Sequence, residues 1–261
     1  MTAAAASLDP RTTLARPDLA EQSLEGIVRA TAFRAVRAMH CAVPVADIHA
    51  DVGTGDHPVD QLIFGEAFDG LDRRGDRLWG RARRDGVVGW IDASVLADGA
   101  PLVTHRVGAV DAALPLNALL AAPHEARDLS PVGAFAAVPV EVAERLLGIP
   151  HRLGARSSVA TDCCGLVQQA LYACGLAGPR YADQQAELGR AVDRSEGRRG
   201  DLIIWLDPAG APWNGHSAFL LDGEHVLHAT GHHGAVVIEP LAQADARYRA
   251  DGFSAPRFRR L

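Results

Sequence analysis

The run ATDCCGLVQQALYACG, residues 160–175, sets two adjacent cysteines between an aspartate and a glycine at the head of an apolar stretch. Asp162 is a good N-cap. The run therefore predicts a helix over residues 163 to about 173, with Leu166, Val167, Ala170 and Leu171 as its buried stripe and Gly175 as its stop. Cys163 falls at the first helical position, where unpaired backbone N–H groups and the positive end of the helix dipole favour a thiolate. The same N–H groups suit an oxyanion forming on an attacked carbonyl. A cysteine at a helix start also serves as a small core residue, so the nucleophile reading needs a base.

His216 and His228, at the ends of two apolar runs separated by Asp222-Gly223, offer one. A hairpin closed by a three-residue loop, Leu221-Asp222-Gly223 with Gly223 left-handed, pairs Leu220 with Glu224 and sets His216 directly opposite His228 on one face. A two-residue turn would pair Ser217 with His228 and split the imidazoles across the sheet. Side by side, one ring can take the thiol proton while the other holds it through the second nitrogen.

Zinc is the competing reading, because HVLHATGHH adds His225, His232 and His233 to His228. There is no CxxC or HExxH, adjacent cysteines are poorly placed to chelate one ion together, and Gly231 weakens helical spacing. No metal or other cofactor is expected. His232 and His233 read as loop residues lining the cleft, Cys41 and Cys174 as core or surface thiols, and Trp79 and Trp90 as barrel core. Gly53-Thr54-Gly55 is a turn too short for a phosphate loop.

These groups must be positioned by a chain of 261 residues, enough for one large domain or two modest ones. With 48% hydrophobic residues and a net charge of -6 spread along the chain, nothing argues for a nucleic-acid partner. All 26 basic residues are arginine, which excludes lysine Schiff-base or general-base chemistry. The first residues lack a basic segment followed by an apolar one, and no apolar run reaches the roughly 18 residues of a membrane span. A cytoplasmic location and no membrane partner are expected. Four cysteines, two of them neighbours, fit no disulfide framework.

Four regions follow from texture. Residues 1–38 form an arm, with mixed helical spacing over 19–39 predicting part helix. Residues 39–98 carry short alternating runs broken by Gly and Asp, the pattern of a small β-barrel. Residues 99–137 are a Pro- and Ala-rich connector with one or two strands. From 138 a second domain opens with a helix presenting Val140, Val142, Ala143, Leu146 and Leu147 on one face and ending at Pro150. Strands follow, so the class is α+β.

The blocks TDCCGLVQ, RRGDLIIW, GHSAFLLDGEHVLHA and HHGAVVIEPL resemble, in order, those of the NlpC/P60 cysteine peptidases, over residues 138–261. The upstream VPVADIHADVG, DQLIFGE and DGVVGWIDASVL are similar to the bacterial SH3 domain of the subgroup that cuts murein peptides. The resemblance implies a papain-like catalytic domain behind an SH3-like barrel. It implies Cys163 as nucleophile, His216 as base and His228 as the orienting residue. The implied reaction is cleavage of the γ-D-glutamyl to diaminopimelate bond in peptidoglycan stem peptides with a free L-Ala amine, in a cleft that the SH3 domain closes at one end.

Several positions depart from the family pattern. His151 stands for a tyrosine of the oxyanion site, Leu153 and Ala155 for an aromatic and a glycine, and Cys164 for a serine. Tyr181 and Ala182 replace an aspartate and a serine, the aspartate being the ammonium's partner, and Val87 replaces a tyrosine of the same pocket. Glu66 remains as an acidic partner, with Asp183 in partial compensation. Two rivals keep the fold: an amidase, acyltransferase or peptidase of a non-murein substrate, and a non-catalytic module that binds muropeptides.

Overall fold

The computed structural model describes residues 8–53, 55, 57–110, 113–121, 129–210 and 215–261. Thr54 of the short turn lies outside them. The arm is extended where part helix was expected: β1 (Leu19–Glu21) pairs in parallel with β2 (Ala32–Arg34), with one 3-10 turn at Gln22–Leu24 between them. Gly26, at φ +81°, and the β-branched Ile27 and Val28 stop a helix from propagating there.

The barrel strands are β3 (Arg37–Cys41), β4 (Val45–Ile48), β5 (Asp60–Ile63), β6 (Ala67–Arg74), β7 (Arg77–Ala82), β8 (Val88–Asp92) and β9 (Leu96–Asp98). Five run in the order β8-β7-β6-β3-β9, and the β4-β5 pair joins them through a bridge between His49 and Trp90. Alternate residues such as Cys41, Ile48, Leu62, Phe68 and Ile91 fill the inside. Trp79 and Trp90 are buried outside that core, against Leu14 of the arm.

Three short strands, one more than the sequence suggested, make up the described connector: β10 (His105–Val107), β11 (Leu119–Leu120) and β12 (Leu129–Pro131), in the order β11-β10-β12. From β10, Arg106 donates to the Ala173 carbonyl at 3.1 Å, and from the next loop Asn117 donates to the Gln169 carbonyl at 2.9 Å. The connector thereby satisfies carbonyls in the last turns of the helix that carries the cysteines, where orphan acceptors and a cation belong.

The second domain contains α1 (Pro139–Glu144), α2 (Cys163–Ala173), α3 (Ala182–Gln185), β13 (Arg190–Val192), β14 (Leu202–Leu206), β15 (Gly215–Leu220), β16 (His225–Thr230), β17 (Ala235–Pro240), α4 (Leu241–Ala250) and β18 (Arg257–Arg260). The antiparallel sheet runs β13-β18-β14-β15-β16-β17. Period-two alternation splits its faces: Leu202 and Ile204 join the α1 and α2 core, whereas Ile203 and Trp205 join the α4 core. Val140, Val142, Ala143 and Leu146 are buried as expected. Leu147 is exposed instead, because α1 ends at Glu144 and the helical period no longer governs its direction. The α2 stripe is fully buried, each leucine contributing about 1.5–3 kcal/mol. Among the described residues no helix is long and apolar enough to cross a membrane.

Candidate active site

Asp162 caps α2 as the sequence predicts: one carboxylate oxygen accepts from the Gly165 N–H at 2.7 Å and the other from the Gly154 N–H at 2.9 Å. The buried Arg180 grips both oxygens, at 3.0 and 2.5 Å. Gly165 is required by the close approach of the preceding loop, since a Cβ there would lie 2.4 Å from the Ala155 carbonyl oxygen. Cap, guanidinium and glycine together fix where the first helical residue, Cys163, points.

The Cys163 and Cys164 sulfurs are 3.8 Å apart, and Cys164 Sγ lies 3.7 Å from Ser217 Oγ. The Cys164 thiol and then the neighbouring His216 ring hold Cys163 well below the ordinary thiol value, against the opposing effect of burial. Cys164 is pushed well above it by its charged neighbour and by burial. Of the two, Cys163 is the thiol whose surroundings favour the thiolate, and Cys164 the one whose surroundings keep it protonated.

The hairpin register differs from the sequence-derived one. Phe219 pairs with Leu227 and Leu220 with Val226, a pattern that sets Ala218, not His216, across from His228. Gly223 is not left-handed, and Asp222 shapes the turn by accepting from the N–H groups of Glu224 and His225. The slip is by two residues, which preserves the face. The rings meet diagonally, with His216 Nε2 2.7 Å from His228 Nδ1.

Behind them stands Glu239 on β17, its Oε1 2.7 Å from His228 Nε2 in a contact that is short but not aligned as a straight hydrogen bond. Arg247 of α4 pairs with the same carboxylate. Desolvation first, and then the His216 charge, press His228 down to about 4 despite Glu239, so it is neutral near pH 7. Its proton belongs on Nε2, beside the carboxylate, which leaves the Nδ1 lone pair facing His216. A protonated His216 can then donate through Nε2 to His228 while its other nitrogen serves the thiolate. Tyr248 stacks on His216 with centroids 4.2 Å apart and places its hydroxyl 2.9 Å from Nε2.

A cavity of about 230 Å³ opens at the thiol, lined by Cys163, Cys164, Tyr181, Asp183 and Arg11 among others. Of the sequence-derived substrate residues, Cys164, Tyr181 and Asp183 reach it. Glu66 does not: it is fully buried, and Arg156 and Arg84 occupy its carboxylate at 2.7 and 3.0 Å. Val87 is also buried and does not line the cavity, and His151 lies off it, with its ring against Gly231. Asp183 is paired with Arg11 at 2.6 Å. The histidines of the zinc reading do not converge on one point: His228 is inside, His225 pairs with Asp222, and His232 and His233 stack on each other in the β16–β17 turn, where His233 Nε2 lies 3.4 Å from Glu239 Oε2.

Glu239, Tyr248 and Arg11 carry no sequence signal of their own. Glu239 sits eleven residues beyond His228, and only the β16–β17 pairing brings the two together.

Residues 148–253 match the NlpC/P60 family, and residues 55–96 match the bacterial dipeptidyl-peptidase Sh3 domain. The chain carries an NlpC/P60 domain behind a bacterial SH3 domain. Peptidases of the NlpC/P60 family are hydrolases, generally with a cysteine nucleophile. The chain is 32% identical over 111 residues to the peptidoglycan endopeptidase RipB of Mycobacterium tuberculosis, covering 38% of this chain and 44% of that one. It is 26% identical over 102 residues to a gamma-D-glutamyl-L-lysine dipeptidyl-peptidase of Bacillus cereus, covering 39% and 31%. The chain thus spans under half the length of these relatives. A crystal structure of an NlpC/P60 family protein from Bacillus cereus superimposes with a TM-score of 0.73 at 16% identity, over 85% of this chain and 99% of that one. The papain-like fold with an N-terminal SH3 barrel is therefore shared.

Proposed function

We propose that the protein is a cysteine peptidase that hydrolyses γ-D-glutamyl to diamino acid bonds in peptides derived from peptidoglycan. The observation that carries the reading is a depressed Cys163 thiol at a helix N-terminus beside a His216–His228–Glu239 chain. Cys163 Sγ attacks the amide carbonyl carbon, and the oxyanion finds the free N–H groups of the first α2 turn. As the C–N bond breaks, His216 passes its proton to the leaving amine. Water then attacks the thioester, His216 takes a proton from it, and the C–S bond breaks to restore the thiolate and imidazolium. His228 and Glu239 hold the base in place. No cofactor enters this chemistry. The bond type is supported by the relatives, one a peptidoglycan endopeptidase and one a gamma-D-glutamyl-L-lysine dipeptidyl-peptidase.

The test is mass-spectrometric product analysis of L-Ala-γ-D-Glu-diaminopimelate with the native protein and with Cys163→Ala and Cys164→Ser. Release of L-Ala-γ-D-Glu is expected from the native chain and from Cys164→Ser, and none from Cys163→Ala; a fully active Cys163→Ala would sink the reading. Engagement of Glu66 by Arg156 and of Asp183 by Arg11 favours a second reading, in which the same chemistry serves a divergent amide substrate. Rapid alkylation of Cys163 without cleavage of the murein peptide would select it. A slow, ordinary thiol would leave a muropeptide-binding module.

A further inference from the structure

The arm runs outside both matched segments, yet Arg11 lines the same cavity as Cys163. Its backbone is fixed to the barrel, where its carbonyl accepts from the Val88 N–H at 2.9 Å. Three residues on, Leu14 is fully buried against Trp79 and Trp90, and Arg16 lies over Trp79 at 4.1 Å. The Arg11 side chain crosses to the other domain: its guanidinium lies over the Tyr181 ring at 4.3 Å and bonds both Asp183 oxygens at 3.0 and 2.6 Å. Asp9 grips the same guanidinium at 2.7 Å and receives Gln184 at 3.2 Å. Arg11 is thus tied at one end to β8 and at the other to α3.

Arg11 and Tyr181 also line a second cavity, of about 470 Å³, on the side of Trp79 and Trp90. The two cavities share these two residues, which makes the stacked pair the wall between them. At about 230 Å³ the thiol cavity is below the roughly 300 Å³ at which small-molecule pockets begin. We infer that Arg11, delivered by the N-terminal arm, is a specificity-determining residue: it closes the cleft at Tyr181 and restricts substrates to those with a short segment on that side of the scissile bond. This deepens the peptidase reading and rests on it. A planar guanidinium suits the task, since it stacks on a ring face and bonds a carboxylate through two N–H groups at once.

The test uses the full chain with Arg11→Ala and Asp183→Ala. Hydrolysis of L-Ala-γ-D-Glu-diaminopimelate is compared with that of the same peptide extended by one residue at its N-terminus. Alkylation of Cys163 by iodoacetamide is compared with alkylation by a bulky maleimide. Native protein should favour the unextended peptide and the small reagent, and Arg11→Ala should raise both the extended-to-unextended and the bulky-to-small ratio by about tenfold. Asp183→Ala should move both ratios in the same direction. Unchanged ratios in both variants would overturn the wall. Failure of native protein to cleave either peptide would count against the peptidase reading, and the reagent ratio would still decide the role of Arg11.

Discussion

The Glu239 carboxylate touches His228, which touches His216, so its charge acts on the Cys163–His216 pair through two rings. Arg247 holds the carboxylate in place, and against desolvation the His228 and Arg247 contacts keep it well below the usual acid range. Glu239→Gln keeps the shape and removes the charge. A carboxylate charge acting at this range is worth on the order of 1.5–3 kcal/mol at an effective dielectric near 20, so kcat/KM should fall roughly ten- to a hundredfold. Alkylation of Cys163 near neutral pH should also slow, because the neighbouring carboxylate charge that favours charge separation between the thiol and His216 is gone. Unchanged rates of hydrolysis and alkylation would show that Glu239 only packs the sheet. Cys163 and its two histidines were legible from residue type and from the family blocks that carry them, whereas the face the histidines share hung on the turn at Asp222. Glu239 was not, because nothing in its local sequence distinguishes a relay carboxylate from a surface one.

At the scale of elements, β16 buries a neutral imidazole, and this ties stability to pH. An unfolded histidine titrates near 6.5, whereas His228 titrates at about 4, mainly through desolvation. Between those values the unfolded chain binds the extra proton. Stability is therefore fully present above about pH 6.5 and is lost as pH falls towards 4, by up to roughly 3 kcal/mol. Urea unfolding across that window should show the slope, and His228→Asn should flatten it; an equal slope in the variant would refute the assignment. The α2 helix was legible because its cap, stripe and stop are all local. The arm was not, since its apolar spacing suits a helix while Gly26 and contacts with β2 decide otherwise. The β15–β16 register also escaped, because a loop of the expected length was placed one residue too early around Asp222.

Across the whole molecule, the two domains are joined by buried charge. Arg156, fully buried, contacts Asp60 at 2.8 Å and Glu66 at 2.7 Å from the barrel, and Arg180 contacts both Asp60 and the helix cap Asp162. The barrel is therefore connected to the cap of α2 through the Arg180 guanidinium, and to the loop before α2 through that of Arg156. Removing one partner of such a network leaves uncompensated buried charge, so Arg156→Ala should destabilise the protein by about 3–5 kcal/mol. Calorimetry and urea unfolding measure this, and a loss below about 1 kcal/mol would show that the network relaxes at little cost.

By itself the sequence determined what depends on neighbours along the chain: the Asp162 cap, the placement of Cys163 on the first helical turn and the alternating strands, while the face shared by His216 and His228 waited on the turn between them. Helix dipoles, caps and strand parity act over a few residues, so their signals survive without a fold. Only the tertiary structure decided which charges find each other. Glu66 went to Arg156, Asp183 to Arg11 and Glu239 to His228, over separations of 90, 172 and 11 residues. A side chain's residue type states what it can bind, and packing alone states what lies within reach of it.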